Sequence, residues 1–455
     1  MSKNKIIFLS IFLPFAVFPQ NNEPTIKLDL PLFDLPYQID AMNTVGQGFF
    51  SSYANPSMAQ SSALAMDLYS AFHFGVKALF DQWNFNDTLG LWEMKGLIQD
   101  ISLLAGNLLL VYVPGGSGWM HEEFHRAVMS RYTVNSFNDM NTFPLGQEMV
   151  YVKSVKDEDL ERFKAESPAD FVRLPAAGIE GEYLLIDQLQ RNSFFYNQGL
   201  RFHTFYWLTT INAHGYISLS GNINGHDTLD AQETDILSRD FTGMDMAAWV
   251  YDLFRPDEPY HKRGEHSTGI GIDRYRTTED LTGEELDYLR AQKYWHIFNY
   301  ISPMLLNINR IALGDTGMYG NFAFRHVLTS FGTDVALNMY VLKDRFNIVF
   351  VLHNYLNYKN YFPSIEVALV DFPLSSGSLK VYLSPRILVG MQPENQKFKT
   401  ETPEFLGLAG CRIDLNISKF FLPYFDVTVK TDGWVTGSEF LEKNISIKTG
   451  ISLRF

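Results

Sequence analysis

Two histidines and a glutamate lie close together in the stretch GSGWMHEEFHRAVMSR, residues 116–131. His121 and His125 are four positions apart, and on an α-helix residues with this spacing lie on one face, one turn apart. Both imidazoles can therefore bind the same metal ion. Glu122, next to the first histidine, can reach a water molecule on that ion without binding the ion itself. The spacing predicts two metal ligands and one general base.

The chemistry that such a site supports is hydrolysis. A zinc ion lowers the pKa of a bound water molecule, and a neighbouring carboxylate takes the proton while the water attacks a carbonyl group. The pattern His-Glu-x-x-His resembles the signature of the zincin metallopeptidases. This resemblance, which covers five residues and their helical setting, implies Zn²⁺ as the cofactor, peptide bonds as the substrate and Glu122 as the general base. The alternative from the residues alone is a pair of surface histidines.

A third metal ligand has to come from elsewhere in the chain. The extended zincin pattern has another histidine six residues after His125, but this chain has Arg131 there, so we expect a carboxylate, as in gluzincin-like enzymes. The segment PAAGIEGEYLLID, residues 175–187, offers Glu180 and Glu182 beside small residues that let helices approach closely. Residues two apart on a helix point to nearly opposite faces. Neither begins the Glu-x-x-x-Asp pattern of the gluzincins, which leaves the choice open. We favour Glu180, because it is the first residue of the Glu-x-Glu pair, and keep Glu182 as the alternative.

The elements next to the motif have recognisable boundaries. Pro-Gly-Gly at 114–116 interrupts the chain, and Ser117 can cap the motif helix after it. Before this break, residues 101–113 are almost wholly apolar. A helix of that length covers about 20 Å, less than the ~30 Å hydrocarbon core of a bilayer. We therefore expect a buried helix behind the site, with a membrane-associated helix as the alternative.

Two further helices have start signals. Ser167, followed by proline, is typical of a helix N-cap, and this helix is expected to kink at Pro175. Thr282 and Glu285 form the spacing of a capping box. Residues 201–280 mix aromatic-rich with Gly- and Asp-rich pieces, and predict no clear element.

After about residue 321 the apolar period changes from 3.6 to 2, which predicts seven or eight antiparallel strands up to residue 455. The last of them, NISIKTGISLRF at 444–455, alternates apolar and polar residues and stops at Phe455. This strand resembles the last strand of outer-membrane β-barrel proteins. The resemblance implies a β-barrel in the bacterial outer membrane, with lipid and other membrane proteins as partners. A soluble antiparallel sheet is the alternative.

The remaining features concern export and composition. Lys3 and Lys5 precede the apolar run 6–18, so residues 1–20 are interpreted as a signal peptide of an exported protein. A net charge of −14 speaks against nucleic acid as a partner, because phosphate binding needs a basic surface. Cys411 is the single cysteine of the chain, which excludes an intramolecular disulfide.

The sequence thus predicts an α+β protein. Its expected parts are the signal peptide 1–20, an extended segment 21–57, a mainly helical zincin-like domain 58–320 and an antiparallel β-meander or β-barrel 321–455. The predicted function is zinc-dependent peptide hydrolysis at the outer membrane, on its periplasmic or surface side. The alternative is a non-catalytic structural or assembly component of the outer membrane with a structural or vestigial metal site. An intramembrane protease would need several membrane spans that the sequence does not provide.

Overall fold

The computed structural model describes residues 27–44, 54–82, 92–142, 151–221, 232–376, 379–418 and 420–454. The expected signal peptide, residues 1–20, lies outside the described residues. Helices dominate up to residue 306, and an antiparallel sheet contains most of the described chain after that point. The predicted α+β class is therefore confirmed.

The helices form one group of elements that carries the His-Glu-x-x-His motif. The α-helices of the described residues are α1 Tyr37–Ala41, α2 Met58–Gln82, α3 Trp92–Leu110, α4 Ser117–Arg131, α5 Asp157–Glu166, α6 Pro168–Arg173, α7 Ala177–Phe195, α8 His203–Ser220, α9 Asp245–Phe254 and α10 Gly283–His296. The predicted capping box opens α10: Glu285 N donates to Thr282 Oγ1, and Thr282 N donates to Glu285 Oε2. Pro175 lies in a 3-10 turn, Leu174–Ala176, that separates α6 from α7.

The strands are mostly long and antiparallel. They are β1 Lys27–Leu35, β2 Phe137–Asn138, β3 Val152–Lys153, β4 Ile311–Ala312, β5 Tyr319–Thr329, β6 Gly332–Lys343, β7 Phe346–Asn357, β8 Asn360–Leu369, β9 Phe372–Ser376, β10 Leu379–Pro393, β11 Pro403–Asn416, β12 Phe421–Lys430 and β13 Asn444–Arg454. Eleven of them form one sheet in the order β1-β13-β12-β11-β10-β8-β7-β6-β5-β4, with β9 paired to β10. The short strands β2 and β3 pair only with each other within the described residues.

Three expectations about the sheet need correction. The seven or eight strands expected from residue 321 are nine, β5 to β13, and they include the short strand β9, which pairs with β10. The segment 21–57 contains β1, which pairs with β13 so that Leu30 lies opposite Ile451. Within the described residues β1 and β4 end the sheet without pairing to each other, so a meander is present but a closed barrel is not.

The two faces of the sheet differ in polarity, and the face turned away from the helices is the apolar one. We call its exposed apolar residues the outer face: Leu30, Phe33, Phe322, Leu352, Ile365, Val367, Ile387, Val389, Phe405, Phe425, Val429 and Ile445. The opposite face carries charged groups. Arg412 donates to Asp29 at 3.0 and 2.7 Å and to Asp414 at 2.8 Å, and Arg454 donates to Asp371 at 2.7 Å. A soluble sheet usually has the reverse arrangement, with the apolar face on the core.

The helical part is attached near both edges of the sheet. At β1, the backbone N–H of Asp29 donates to Asp67 of α2 at 2.8 Å. Near β4, Trp207 Nε1 of α8 donates to the carbonyl oxygen of Leu305 at 2.9 Å. Helix α3 packs against both α2 and α8. Contacts therefore run from one edge of the sheet through α2, α3 and α8 to the chain just before the other edge.

Helix α3 differs from the buried helix expected at 101–113. It begins earlier, at Trp92, and its side chains Ile101, Leu104 and Leu109 are 56%, 44% and 70% exposed. Only one side of the helix is covered by the described residues, because it packs on α2 and α8 and has no other layer above it. Among the described residues, none of the helices combines the length and the apolar character needed to cross a membrane.

Candidate metal centre

The predicted motif lies on α4, which starts immediately after a tight turn. Gly115 has φ of 85°, a conformation that favours glycine, and Gly116 is the N-cap. A Cβ at Gly116 would lie 1.7 Å from the carbonyl oxygen of Leu110, so the turn requires glycine there. Ser117, expected as the cap, is instead the first residue of the helix. The glycines let the chain reverse closely enough for α4 to lie inside the helical part.

Helix α4 is buried on most of its surface. Trp119, Phe124, Ala127 and Val128 are buried. His121 and His125 are buried as well, at 7% and 0% exposed, so the motif is not a pair of surface histidines.

Asp245 joins the two histidines in one cluster. Its Oδ2 atom lies 3.4 Å from Nε2 of His121 and 3.4 Å from Nε2 of His125. The three candidate ligand atoms all lie within 4.8 Å of one another. Asp245 is the first residue of α9, which packs against the 3-10 turn Leu174–Ala176. This packing brings the start of α9 to the face of α4 that carries the histidines.

Hydrogen bonds on the far side of each ring direct both Nε2 atoms towards the cluster. His125 Nδ1 donates to the carbonyl oxygen of Leu174 at 2.7 Å, and its Nε2 has no hydrogen-bond partner although the ring is fully buried. His121 Nδ1 donates to Glu182 Oε1 at 3.2 Å. Such outer contacts fix the tautomer and orientation of metal-binding histidines. A buried imidazole nitrogen without a partner is unfavourable, and a bound cation would satisfy it.

Gly178 lets the backbone of α7 approach both rings closely. A Cβ at this position would lie 2.3 Å from Nε2 of His121 and 2.5 Å from Nε2 of His125. The small residues of 175–187 thus allow the close approach of α7 that the sequence predicts. The residues present fit a metal ion, because the ligand atoms converge and the backbone opposite them has no side chain.

Glu180, the favoured third ligand from the sequence, has a different position. It accepts two hydrogen bonds from Arg173, at 2.9 and 2.7 Å, and one from the backbone N–H of Gly437 at 2.8 Å. Its carboxylate is therefore already neutralised within the protein core. Glu182, the alternative, bonds His121 Nδ1 and accepts from Asn212 Nδ2 at 2.9 Å. Glu182 therefore contacts the Nδ1 side of one candidate ligand, whereas the carboxylate that lies beside both Nε2 atoms is that of Asp245.

Sequence reasoning missed Asp245 because the residue lies in the range 201–280, where no element was predicted. A usable signal was present: Asp245 follows Gly243, which has φ of 74°, and opens the apolar run MAAWV. An acidic residue in the first turn of an apolar helix is typical of a helix start. That signal predicts the helix but does not connect it to the histidines.

The charged groups at the site shift one another's ionisation. Burial raises the pKa of Glu122 to about 8, with the negative charges of Asp245 and Glu123 adding to the effect and His121 opposing it. Burial also disfavours ionised Asp245, but the two imidazoles hold the pKa of its carboxyl below the usual range. Tyr216 of α8 donates to Asp245 Oδ2 at 2.6 Å. Burial alone would lower the pKa of His121, but hydrogen bonds to Asp245 and Glu182 outweigh it and raise that pKa well above its ordinary value.

Two imidazoles and one carboxylate form a set of three ligands that can hold a divalent metal ion and leave a further coordination position. Glu122 adds a buried carboxyl group whose pKa is close to neutral. The arrangement has the parts needed for metal-assisted hydrolysis. In comparisons with known proteins, no family model, no curated protein and no solved structure matches this chain.

Proposed function

We propose that this protein is a zinc-dependent hydrolase of peptide bonds that is held at the bacterial outer membrane. The observation that carries the proposal is the convergence of His121 Nε2, His125 Nε2 and Asp245 Oδ2 beside Glu122 on a buried helix. Zn²⁺ suits two imidazoles and a carboxylate with a further position left for water or substrate.

The protein's own residues have distinct roles in this proposal. Bound zinc would supply an acidified water molecule and polarise the substrate carbonyl. Glu122 accepts the proton at its carboxylate and returns it to the leaving amine. Glu182 and the carbonyl of Leu174 orient the two imidazoles, and Tyr216 orients Asp245.

The proposed membrane location rests on the sheet. Apolar side chains cover its outer face, while Arg412, Asp29 and Asp414 bond one another on the opposite side. A transmembrane sheet has this polarity, because its outer surface faces hydrocarbon and its interior is polar. The apolar run 6–18 after Lys3 and Lys5 supports export. This surface supports lipid as the partner.

One observation favours the alternative of a structural metal site without catalysis. The side chains of His121, His125 and Asp245 are 8%, 0% and 7% exposed, and structural zinc sites are closed in this way. A purely structural site, however, gives no role to the buried carboxyl group of Glu122.

Metal content and hydrolysis together test the proposal. The purified full-length protein should contain one zinc per chain and hydrolyse a casein-type substrate. Glu122→Gln should keep the metal and lose roughly 10²-fold or more in kcat, because the general base is removed. Absence of stoichiometric zinc from the wild type overturns the metal site. Unchanged turnover in Glu122→Gln overturns the catalytic role, and a bound metal without any turnover supports the structural alternative.

A further inference from the structure

The surface formed by α2, α3 and α8 exposes a group of large apolar side chains. We call its exposed side chains the helical patch: Phe74 of α2, Leu97, Ile101, Leu104, Leu108 and Leu109 of α3, and Ile211 and Leu219 of α8. Between Ile101 and Leu109 every exposed residue of α3 is apolar. The run covers about 13 Å of helix surface without a charge. Contiguous exposed apolar surface of this kind marks an interaction site.

The helical patch lies next to the edge of the sheet at β1. Helix α2 packs along β1, whose side chains Leu30 and Phe33 are 40% and 57% exposed. Helix α3 packs on α2, and α8 packs on α3. Exposed apolar residues are therefore present on β1 and on the three helices that pack in succession beside it. A bilayer can cover an apolar surface of this extent, whereas a protein partner covers a limited area.

Helix α8 connects the helical patch with the candidate metal centre. It exposes Ile211 and Leu219, and it also carries Asn212 and Tyr216. Asn212 donates to Glu182 at 2.9 Å, and Tyr216 donates to Asp245 at 2.6 Å. The same helix therefore contributes side chains to the patch and hydrogen bonds to the groups around the candidate ligands.

We propose that the helical patch rests in the lipid bilayer and that the substrate is a polypeptide which is itself bound to the membrane. This inference rests on the proposed function and specifies its substrate class. Helix α3 lies in the interfacial region, with its apolar side in the acyl chains, in the manner of amphipathic helices that bind a membrane without crossing it. Both enzyme and substrate are then confined to one surface, which raises the local substrate concentration.

Lipid contact is tested with fluorophores on single cysteines in the full-length protein, with Cys411→Ser as the background. Leu104→Cys reports on the helical patch, Phe425→Cys on the outer face and Glu166→Cys on a polar exposed position of α5. In vesicles that contain lipids brominated in their acyl chains, we expect strong quenching at the first two positions, by roughly half, and little at Glu166.

The outcomes distinguish lipid contact at the helical patch from the membrane location of the sheet. Quenching at Phe425 without quenching at Leu104 overturns the inference and leaves the membrane-bound sheet intact. Absence of quenching at both positions overturns the membrane location as well. Disulfide cross-linking between two copies through Leu104→Cys, without quenching, shows that a second copy covers the patch and also overturns the inference.

Substrate class is tested with one peptide in two forms, free in solution and attached to vesicles by an acyl chain. The double variant Leu104→Asp/Leu108→Asp should lower kcat/KM for the anchored form by about tenfold or more and leave the free form unchanged, because the acidic groups resist insertion. Leu104→Ile/Leu108→Ile is the matched control and should behave like the wild type. A kcat/KM for the anchored form that is the same in the Asp variant as in the wild type overturns the inference. Loss of both activities in Glu122→Gln identifies the same site as their source.

Discussion

The Nε2 atom of His121 lies 3.4 Å from Oδ2 of Asp245, although 124 positions separate the two residues in the chain. The pair lies at the meeting point of α4 and α9. Because His125 lies at the same distance from the same oxygen, one carboxylate faces two imidazoles. The spacing of the motif gives no indication of this relationship. The shared carboxylate makes Asp245 the expected third ligand.

Asp245→Asn should remove stoichiometric zinc from a protein that still folds. The neutral amide lacks the negative charge that a carboxylate ligand supplies, and its size keeps the packing of α9. Zinc content of the purified variant, and its affinity by competition with a chromogenic chelator, provide the measurement. Zinc binding equal to that of the wild type would exclude Asp245 as a ligand.

Glu180→Gln should lower the stability of the protein and leave zinc binding intact. The side chain of Arg173 is 0% exposed. Because the substitution leaves this buried guanidinium without its counter-charge, it should lower the free energy of unfolding by about 3–5 kcal/mol. The folded variant should nevertheless bind one zinc, because Glu180 is bonded away from the histidines. Denaturant unfolding measures the stability, and metal analysis on the same sample measures the zinc content. A fall in zinc content without a fall in stability would restore Glu180 as a ligand.

Gly178→Ala should abolish metal binding. The new methyl group would lie 2.3 and 2.5 Å from the two Nε2 atoms, in the space where a shared cation has to fit. Gly215→Ala is the matched control, since it adds the same methyl group to α8, where nothing lies within 4 Å. Isothermal titration with Zn²⁺ distinguishes the two variants, and equal affinities would mean that the cation is held elsewhere.

Glu182→Ala should weaken zinc binding by roughly 10–100-fold without preventing it. The substitution removes the acceptor for His121 Nδ1, so the ring loses its fixed tautomer and orientation. The affinity is measured by chelator competition. Asn212→Ala provides a comparison, because it removes only the amide that bonds Glu182 and should have a smaller effect.

Removal of the metal should lower the thermal stability of the wild type. The candidate ligands belong to two helices, which the folded state brings together. An ion that binds this state stabilises it by mass action, by about 4 kcal/mol when its concentration is 1,000 times Kd. Thermal unfolding with and without a strong chelator measures the change. The same treatment should leave Asp245→Asn unaffected, and an equal shift in both proteins would point to another metal site.

Much of the candidate site and of the strand pattern could be predicted from local sequence. The spacing of His121 and His125 places both rings on one face of a helix, and a helix does form there. The capping box at Thr282 and the alternation of β13 likewise depend on neighbouring residues, and both elements are present. These features are local because hydrogen bonds and side-chain directions within a helix or strand repeat every few residues.

The tertiary structure decided three features: which carboxylate is the candidate third ligand, the exposure of α3 and the pairing of β1 with β13. Glu180 and Asp245 are both carboxylates near a helix start, and only the packing of α7 and α9 around α4 places Arg173 beside one and two imidazoles beside the other. Alternation along β13 separates two sets of side chains, but the position of the helices determines that the apolar set faces outward. Contacts between distant segments depend on how whole elements pack, and short-range spacing carries no information about that packing.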